Sequence, residues 1–91
     1  MGDYMEKLSF LDYLALAEKE YTRLLKRYPE LELLTKREMD VFARLLTAKT
    51  QVEIADELYI SHSSVHFHCK NIYRKLELSS RKQLLIRYKD F

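Results

Sequence analysis

Residues 34–85 read LTKREMDVFARLLTAKTQVEIADELYISHSSVHFHCKNIYRKLELSSRKQLL. Apolar residues recur here at helical spacing, and a hydroxyl residue stands at the head of each periodic run. Thr35-Lys-Arg-Glu38, Thr50-Gln-Val-Glu53 and Ser80-Arg-Lys-Gln83 are three capping boxes in succession. In each, the hydroxyl accepts from the amide three residues on, while Glu or Gln reaches back to the cap amide. Ser61 caps a further run without a Glu three residues later. The helix opened by Thr35 is expected to bury Val41, Phe42, Leu45 and Leu46. The next is short, with Ile54, Ala55 and Leu58 on one face, and Tyr59-Ile60 make the turn after it. The helix over about 61–76 buries Val65, Ile72 and Leu76, and the last, about 80–88, carries Leu84, Leu85 and Tyr88.

Upstream of this stretch lies one more helical pattern. From about Asp3 to Tyr28, Phe10, Leu14, Ala17, Tyr21, Leu24 and Tyr28 recur at alternating steps of four and three, a heptad stripe that Leu11 and Leu25 widen. Pro29 ends it and pushes Tyr28 out of helical geometry. Leu31, Leu33 and Leu34 follow as an apolar connector. The expected organisation is an amphipathic helix over 1–29 and a four-helix domain over 33–91, all-α throughout.

Composition narrows the function classes. Among 91 residues there is one Gly, and it is Gly2. Phosphate-cradling glycine loops, dinucleotide fingerprints and nucleophile elbows are therefore excluded, because each needs backbone that only Gly adopts cheaply. A lone Cys excludes an internal disulfide and a Cys-x-x-Cys knuckle. No apolar run approaches the roughly 18 residues that span a bilayer. The net charge of +2 hides an asymmetry: residues 1–61 hold 9 basic and 12 acidic side chains, residues 62–91 hold 7 basic and 2 acidic. The three His, at 62, 66 and 68, also fall in the basic part. Such a balance suits a C-terminal third that faces a polyanion.

The short helix, the turn and the longer basic helix are the parts of a helix-turn-helix. In that motif the first helix braces against the nucleic-acid backbone while the second lies in the major groove. Ala55 is the small packing residue of the bracing helix, Ile60 the apolar plug of the turn and Ser61 the cap of the second helix. His62, Ser63, His66, Phe67, Lys70 and Arg74 are expected to face outward, opposite Val65, Ile72 and Leu76.

The residues themselves resemble the LuxR/GerE-type helix-turn-helix of bacterial transcription regulators. Leu34-Thr35-x-Arg37-Glu38 matches the family opening. Val41, Leu45, Glu53-Ile54-Ala55, Leu58, Ile60-Ser61, Ser64-Val65, His68, Asn71-Ile72, Lys75-Leu76 and Arg81 then match in order. His68-x-x-Asn71-Ile72-x-x-Lys75-Leu76 with Arg81 separates the pattern from sigma-factor region 4, which shares the opening and the Glu-Ile-Ala. The resemblance implies a domain that binds double-stranded DNA as a dimer, with the helix at 61–76 in the major groove and the last helix supplying a dimer contact. It puts His66, Phe67 and Lys70 toward base edges. Thr50, Gln51, Ser63, Ser64, Arg74 and Lys75 go to the DNA backbone, with Arg81 either beside them or bracing the last helix.

Three departures stand out. The family usually has Gly where this chain has Ala48, so that turn is expected to be rebuilt. It often has Asn-Lys where this chain has Gln51-Val52, and Lys where this chain has His66. Two fewer cations flatten the salt dependence of binding by about two units of log K per log salt.

The same residues allow other readings. His62, His66 and Cys69 share a sector of one helix, but three ligands with no fourth make a poor site, so no metal and no cofactor are expected. Cys69 is expected at the groove. The stripe Phe10, Leu14, Ala17, Tyr21, Leu24 and Tyr28 is expected to pair two subunits rather than fold back on residues 34–88. No acid–base pair or activated nucleophile stands at workable spacing, so no enzyme is expected. There is no acidic receiver pocket or ligand-binding domain in the stretch, hence no small-molecule substrate and no membrane partner. The expectation is a cytoplasmic, nucleoid-associated, sequence-specific regulator acting as a homodimer. The second reading is an interaction protein that pairs with a larger LuxR-type regulator and binds DNA weakly itself.

Overall fold

The computed structural model describes residues 10–89, with side chains described from residue 18 onward. Five α-helices and one 3-10 segment follow in order: α1 Phe10–Arg27, the 3-10 segment Pro29–Leu33, α2 Lys36–Leu45, α3 Gln51–Leu58, α4 His62–Lys75 and α5 Arg81–Arg87. No strand occurs among the described residues. The expected start of the first helix near Asp3 lies outside them.

Most of the caps form as the sequence predicts. Thr35 and Thr50 each accept from the N3 amide, and Glu38 and Glu53 each accept from the cap amide, so both boxes are complete. Ser61 accepts from the Ser64 amide at 3.0 Å. The third box is half-made. Ser80 Oγ accepts from the Gln83 amide, but Gln83 Oε1 takes its hydrogen bond from the Ser79 amide instead, one residue too early. Tyr28 leaves the helix at φ −128°, ψ 75°, as a residue before proline does. The connector after it is not irregular. It winds into the 3-10 segment, with Leu31 and Leu34 buried and Leu33 exposed.

α4 lies across both α2 and α3 and carries the centre of the core. Val41, Phe42 and Leu45 from α2, Ile54 and Ala55 from α3, and Val65, Cys69 and Ile72 from α4 are buried together. Leu84 and Tyr88 close the core from the C-terminal end, with Leu31 and Leu34 beneath. Leu46 and Leu58 are only partly covered, and Leu85 faces out. Cys69 is 2% exposed, so it belongs to the core and not to the groove. Cys69 stands four residues after Val65 and three before Ile72, so it falls on the same buried stripe of α4. Burial pushes the Cys69 thiol above its ordinary range, which makes it a poor redox group.

The C-terminal end of α1 packs on this core. Leu25 and Tyr28 rest against it, and the Tyr28 ring meets the Tyr88 ring edge-on at 4.9 Å. Tyr88 in turn meets Phe42 edge-on at 5.1 Å and donates its hydroxyl to Glu30 at 2.7 Å. Burial and that bond to a carboxylate push the Tyr88 phenol up to about 12. Tyr28, the last residue of the expected dimer stripe, thus packs within its own chain. Leu24 is half-buried and Tyr21 exposed, while the side chains of Phe10, Leu14 and Ala17 lie outside the described residues.

The shortage of glycine shows at two places, neither of them Ala48. Among the described residues, Tyr59, at φ 56°, and Glu77, at φ 57°, are the non-glycine residues with positive φ. Both sit just after a helix in Schellman geometry. Ile60 N donates to Ala55 O and Tyr59 N to Asp56 O; Leu78 N donates to Tyr73 O and Glu77 N to Arg74 O. The turn at Ala48 avoids the left-handed region. Thr47 Oγ1 donates to Arg44 O at 2.6 Å and accepts from the Lys49 amide, and the Arg81 guanidinium donates to Leu45 O and Thr47 O at 3.0 and 2.8 Å. A side chain 34 residues downstream thus does what a C-cap glycine would do. Arg87 plays the same part for α4, donating to Leu76 O at 2.6 Å.

These backbone angles predict which glycines would help. Tyr59→Gly and Glu77→Gly should each stabilise the fold by about 0.5–1 kcal/mol in urea denaturation. Ala48→Gly should give no gain, since the unfolded chain gains freedom and no strain is relieved. The reverse order would show that the Ala48 turn carries the strain.

Candidate nucleic-acid interface

α3, the turn at Tyr59-Ile60, and α4 form a helix-turn-helix, and tertiary hydrogen bonds hold α4 at its C-terminal end. At that end, Glu38 in the first turn of α2 is 4% exposed. Its Oε1 accepts both from the Thr35 amide at 2.9 Å and from Lys75 Nζ at 2.7 Å. One carboxylate oxygen therefore completes the α2 cap and holds the last turn of α4. Burial alone would raise the Glu38 carboxyl. The Lys75 and Thr35 hydrogen bonds, with the charges of Lys75 and His68, outweigh it and hold the group below its ordinary range. The Lys75 ammonium, expected at the DNA backbone, is engaged with Glu38. Lys75 is also the expected position that sequence spacing could not have placed, because its partner lies 37 residues away.

On the outer side, Ser63, Phe67, Lys70 and Arg74 follow at steps of four, three and four, which makes one stripe along the helix. All four are exposed, as are His62 and His66 beside them. Lys70 makes no ion pair among the described residues. Arg74 donates one amine to Asn71 Oδ1 at 3.1 Å and keeps the rest of its guanidinium toward solvent. Phe67 is 61% exposed, and its ring stands edge-to-face with that of His68, the ring centres 5.8 Å apart. His68 itself is half-buried, and its Nδ1 has no hydrogen-bond partner.

The N-terminal ends of α3 and α4 meet at this face. Gln51, His62, Ser63 and His66 line one concavity of about 320 Å³. Thr50 and Gln51 head α3, but the Thr50 hydroxyl and amide are both engaged with Glu53. Ser64 is similarly engaged, accepting from Ser61 Oγ at 2.9 Å. Of the expected backbone-contacting residues, Gln51 and Ser63 are thus brought together with His66, and Arg74 lies further along the stripe. α3 is fixed to the end of α2 by Glu57, which takes Arg44 at 2.9 Å and Lys49. Those two cations hold the exposed Glu57 carboxyl below its ordinary range. Arg81, placed above at the end of α2, is a brace. Tyr59, 95% exposed at the tip of the turn, drew no functional expectation from the sequence.

Among the described residues no group of three His, Cys, Asp or Glu is arranged to hold a metal ion. No helix of them is long and apolar enough to cross a membrane.

Comparison with known proteins agrees with this architecture. Residues 32–88 match the family model described as bacterial regulatory proteins, luxR family. The chain belongs to that family, one of DNA-binding transcription regulators. It is 43% identical over 61 residues to the spore germination protein GerE of Bacillus subtilis, covering 67% of this chain and 82% of that protein. It is 40% identical over 55 residues to the transcriptional regulatory protein LiaR of Bacillus subtilis, covering 60% of this chain and 26% of LiaR. With the response regulator protein VraR of Staphylococcus aureus the identity is 35% over 68 residues, 75% of this chain and 32% of VraR. The chain thus spans most of GerE but only about a quarter to a third of the other two.

The Glu38 site gives a pH-dependent prediction. A carboxyl held below 4.5 in the fold contributes stability that is complete above about pH 4.5 and is lost as the pH falls through its folded value. Glu38→Gln keeps an oxygen for the Thr35 amide but loses the ion pair, at a cost of about 1–3 kcal/mol near pH 7. Urea midpoints measured from pH 7 to pH 3 should show the gap between native and variant closing at the acid end. A constant gap would mean that Glu38 acts through packing alone.

Proposed function

We propose that this protein is a sequence-specific transcription regulator that binds double-stranded DNA as a homodimer, with α4 in the major groove. The observation that carries the reading is the outer stripe of α4. Ser63, Phe67, Lys70 and Arg74 are exposed together, while the opposite side of the helix is wholly taken up by the core. In this arrangement His66, Phe67 and Lys70 meet base edges. Gln51, Ser63 and Arg74 meet phosphates, helped by the amides at the start of α3 and α4, with Thr50 and Ser64 stiffening those ends through their caps. The names of the relatives, a transcriptional regulatory protein and a response regulator among them, support the same reading.

Two subunits place their recognition helices about one turn of DNA apart, ~34 Å, and read a pseudo-palindrome. Two surfaces remain for the pairing. One is the upper part of α1, where Tyr21 is exposed and Leu24 half-covered. The other is the outer side of α5, where Leu85 and Ile86 are exposed. Tyr28, docked on Tyr88, belongs to neither. Residues 1–29 act in this reading as an arm on the DNA-binding domain of residues 33–91, and the protein works at the nucleoid in the cytoplasm.

Enrichment from a random duplex pool, followed by binding across a salt series, tests the proposal. The expected result is a recovered pseudo-palindrome whose preference Lys70→Ala abolishes. Arg74→Ala should lower the salt slope by about one, and Lys75→Ala should leave it unchanged while weakening the fold. Binding that is weak and indifferent to salt would favour a partner protein over DNA.

A further inference from the structure

Phe67 is the one apolar member of the outward stripe of α4. It lies in the middle of a polar and basic stripe, with Ser63 four residues before it and Lys70 and Arg74 after it. Its ring is 61% exposed, although burying a Phe side chain is worth ~1.5–3 kcal/mol. The other side chains of that stripe all carry hydrogen-bonding groups. The phenyl ring carries none, so whatever it meets in the bound state is desolvated without being hydrogen-bonded. Its edge-on contact with His68 at 5.8 Å restrains the ring at the surface.

The major groove offers such a side chain only one matching feature. G, C and A present acceptors and donors there, and a phenyl ring covering them strips water from a polar group and returns nothing. Thymine presents a carbonyl oxygen and the C5-methyl group, the one apolar group on the groove floor. We infer that Phe67 makes this protein select thymine at one position of each half-site, by covering the C5-methyl group and by excluding the three bases that would lose hydrogen bonds there. The selection is both attractive and repulsive, and it is independent of the hydrogen-bonding readout by His66 and Lys70. The inference rests on the DNA-binding reading of α4 given above.

Uracil differs from thymine by that methyl group alone and keeps the same pairing edge. The test starts from the duplex enriched by the intact protein. Each thymine is replaced by uracil in turn, symmetrically in both half-sites, and binding is measured with the native protein and with Phe67→Ala. One position per half-site should weaken native binding by about fourfold per subunit, the effect of one buried methyl group. Phe67→Ala, which removes an exposed side chain and should fold normally by circular dichroism, should bind the thymine and uracil duplexes equally. In a fresh enrichment it should also accept other bases at that position.

Equal binding of thymine and uracil duplexes by the native protein at every position overturns the inference while leaving DNA binding by α4 intact. So does a uracil effect that persists unchanged in Phe67→Ala, which would assign the methyl contact to another side chain. Failure to enrich any duplex overturns the DNA-binding reading itself, and this inference with it.

Discussion

A single buried carboxylate oxygen joins the two helices that matter most. Glu38 Oε1 takes the Thr35 amide and the Lys75 ammonium at once, so the start of α2 and the end of α4 share one fixed point. A buried charge with one partner missing is costly, and here the Lys75 and Thr35 hydrogen bonds offset the burial. The same end of α4 is held a second time just beyond Lys75, where Arg87 satisfies the Leu76 carbonyl and Leu78 tucks into the core. Ahead of it along the helix, Val65, Cys69 and Ile72 fill the interior. With that side committed, the helix has one orientation left, and its outer stripe is the consequence.

Glycine scarcity gives the fold its other distinguishing trait. Two helix ends close through left-handed residues, Tyr59 and Glu77, that carry a Cβ and its steric cost. The third, at Ala48, is closed by long-range capping from Arg81. Two arginines of the basic C-terminal third, Arg81 and Arg87, are therefore structural caps, and Lys75 is an interior ion-pair partner. The charge asymmetry of the sequence overstates the basic surface presented by α4, which rests on Lys70 and Arg74 with His62 and His66 beside them.

Local signals were legible and distant ones were not. The Thr35, Thr50 and Ser61 caps, the short helix before Tyr59-Ile60, and the outward residues of α4 all depend on neighbours within one or two turns. Sequence spacing is enough for these. Cys69 borders the sector of His62 and His66, yet its spacing of four from Val65 and three from Ile72 marks it for the core, where it lies. Tyr28 continues the apolar stripe of α1, while its ring partner Tyr88 lies 60 residues on, a contact that periodicity does not reveal. Lys75, Arg81 and Arg87 all found carbonyl or carboxylate partners across the core, and nothing in their local sequence marks them apart from Lys70 and Arg74. The resemblance to the LuxR family carried the choice of DNA as partner, which helical pattern alone would not have made.

The account stands most directly on which surface meets DNA. Backbone amide shifts followed by NMR during titration with a specific duplex would locate it residue by residue. The account predicts the largest changes at the start of α3 and along α4 at Ser63, His66, Phe67 and Lys70, with Cys69, Ile72 and Lys75 little moved. Changes centred on Tyr21, Leu85 and Ile86, with Ser63 to Lys70 unmoved, would contradict it.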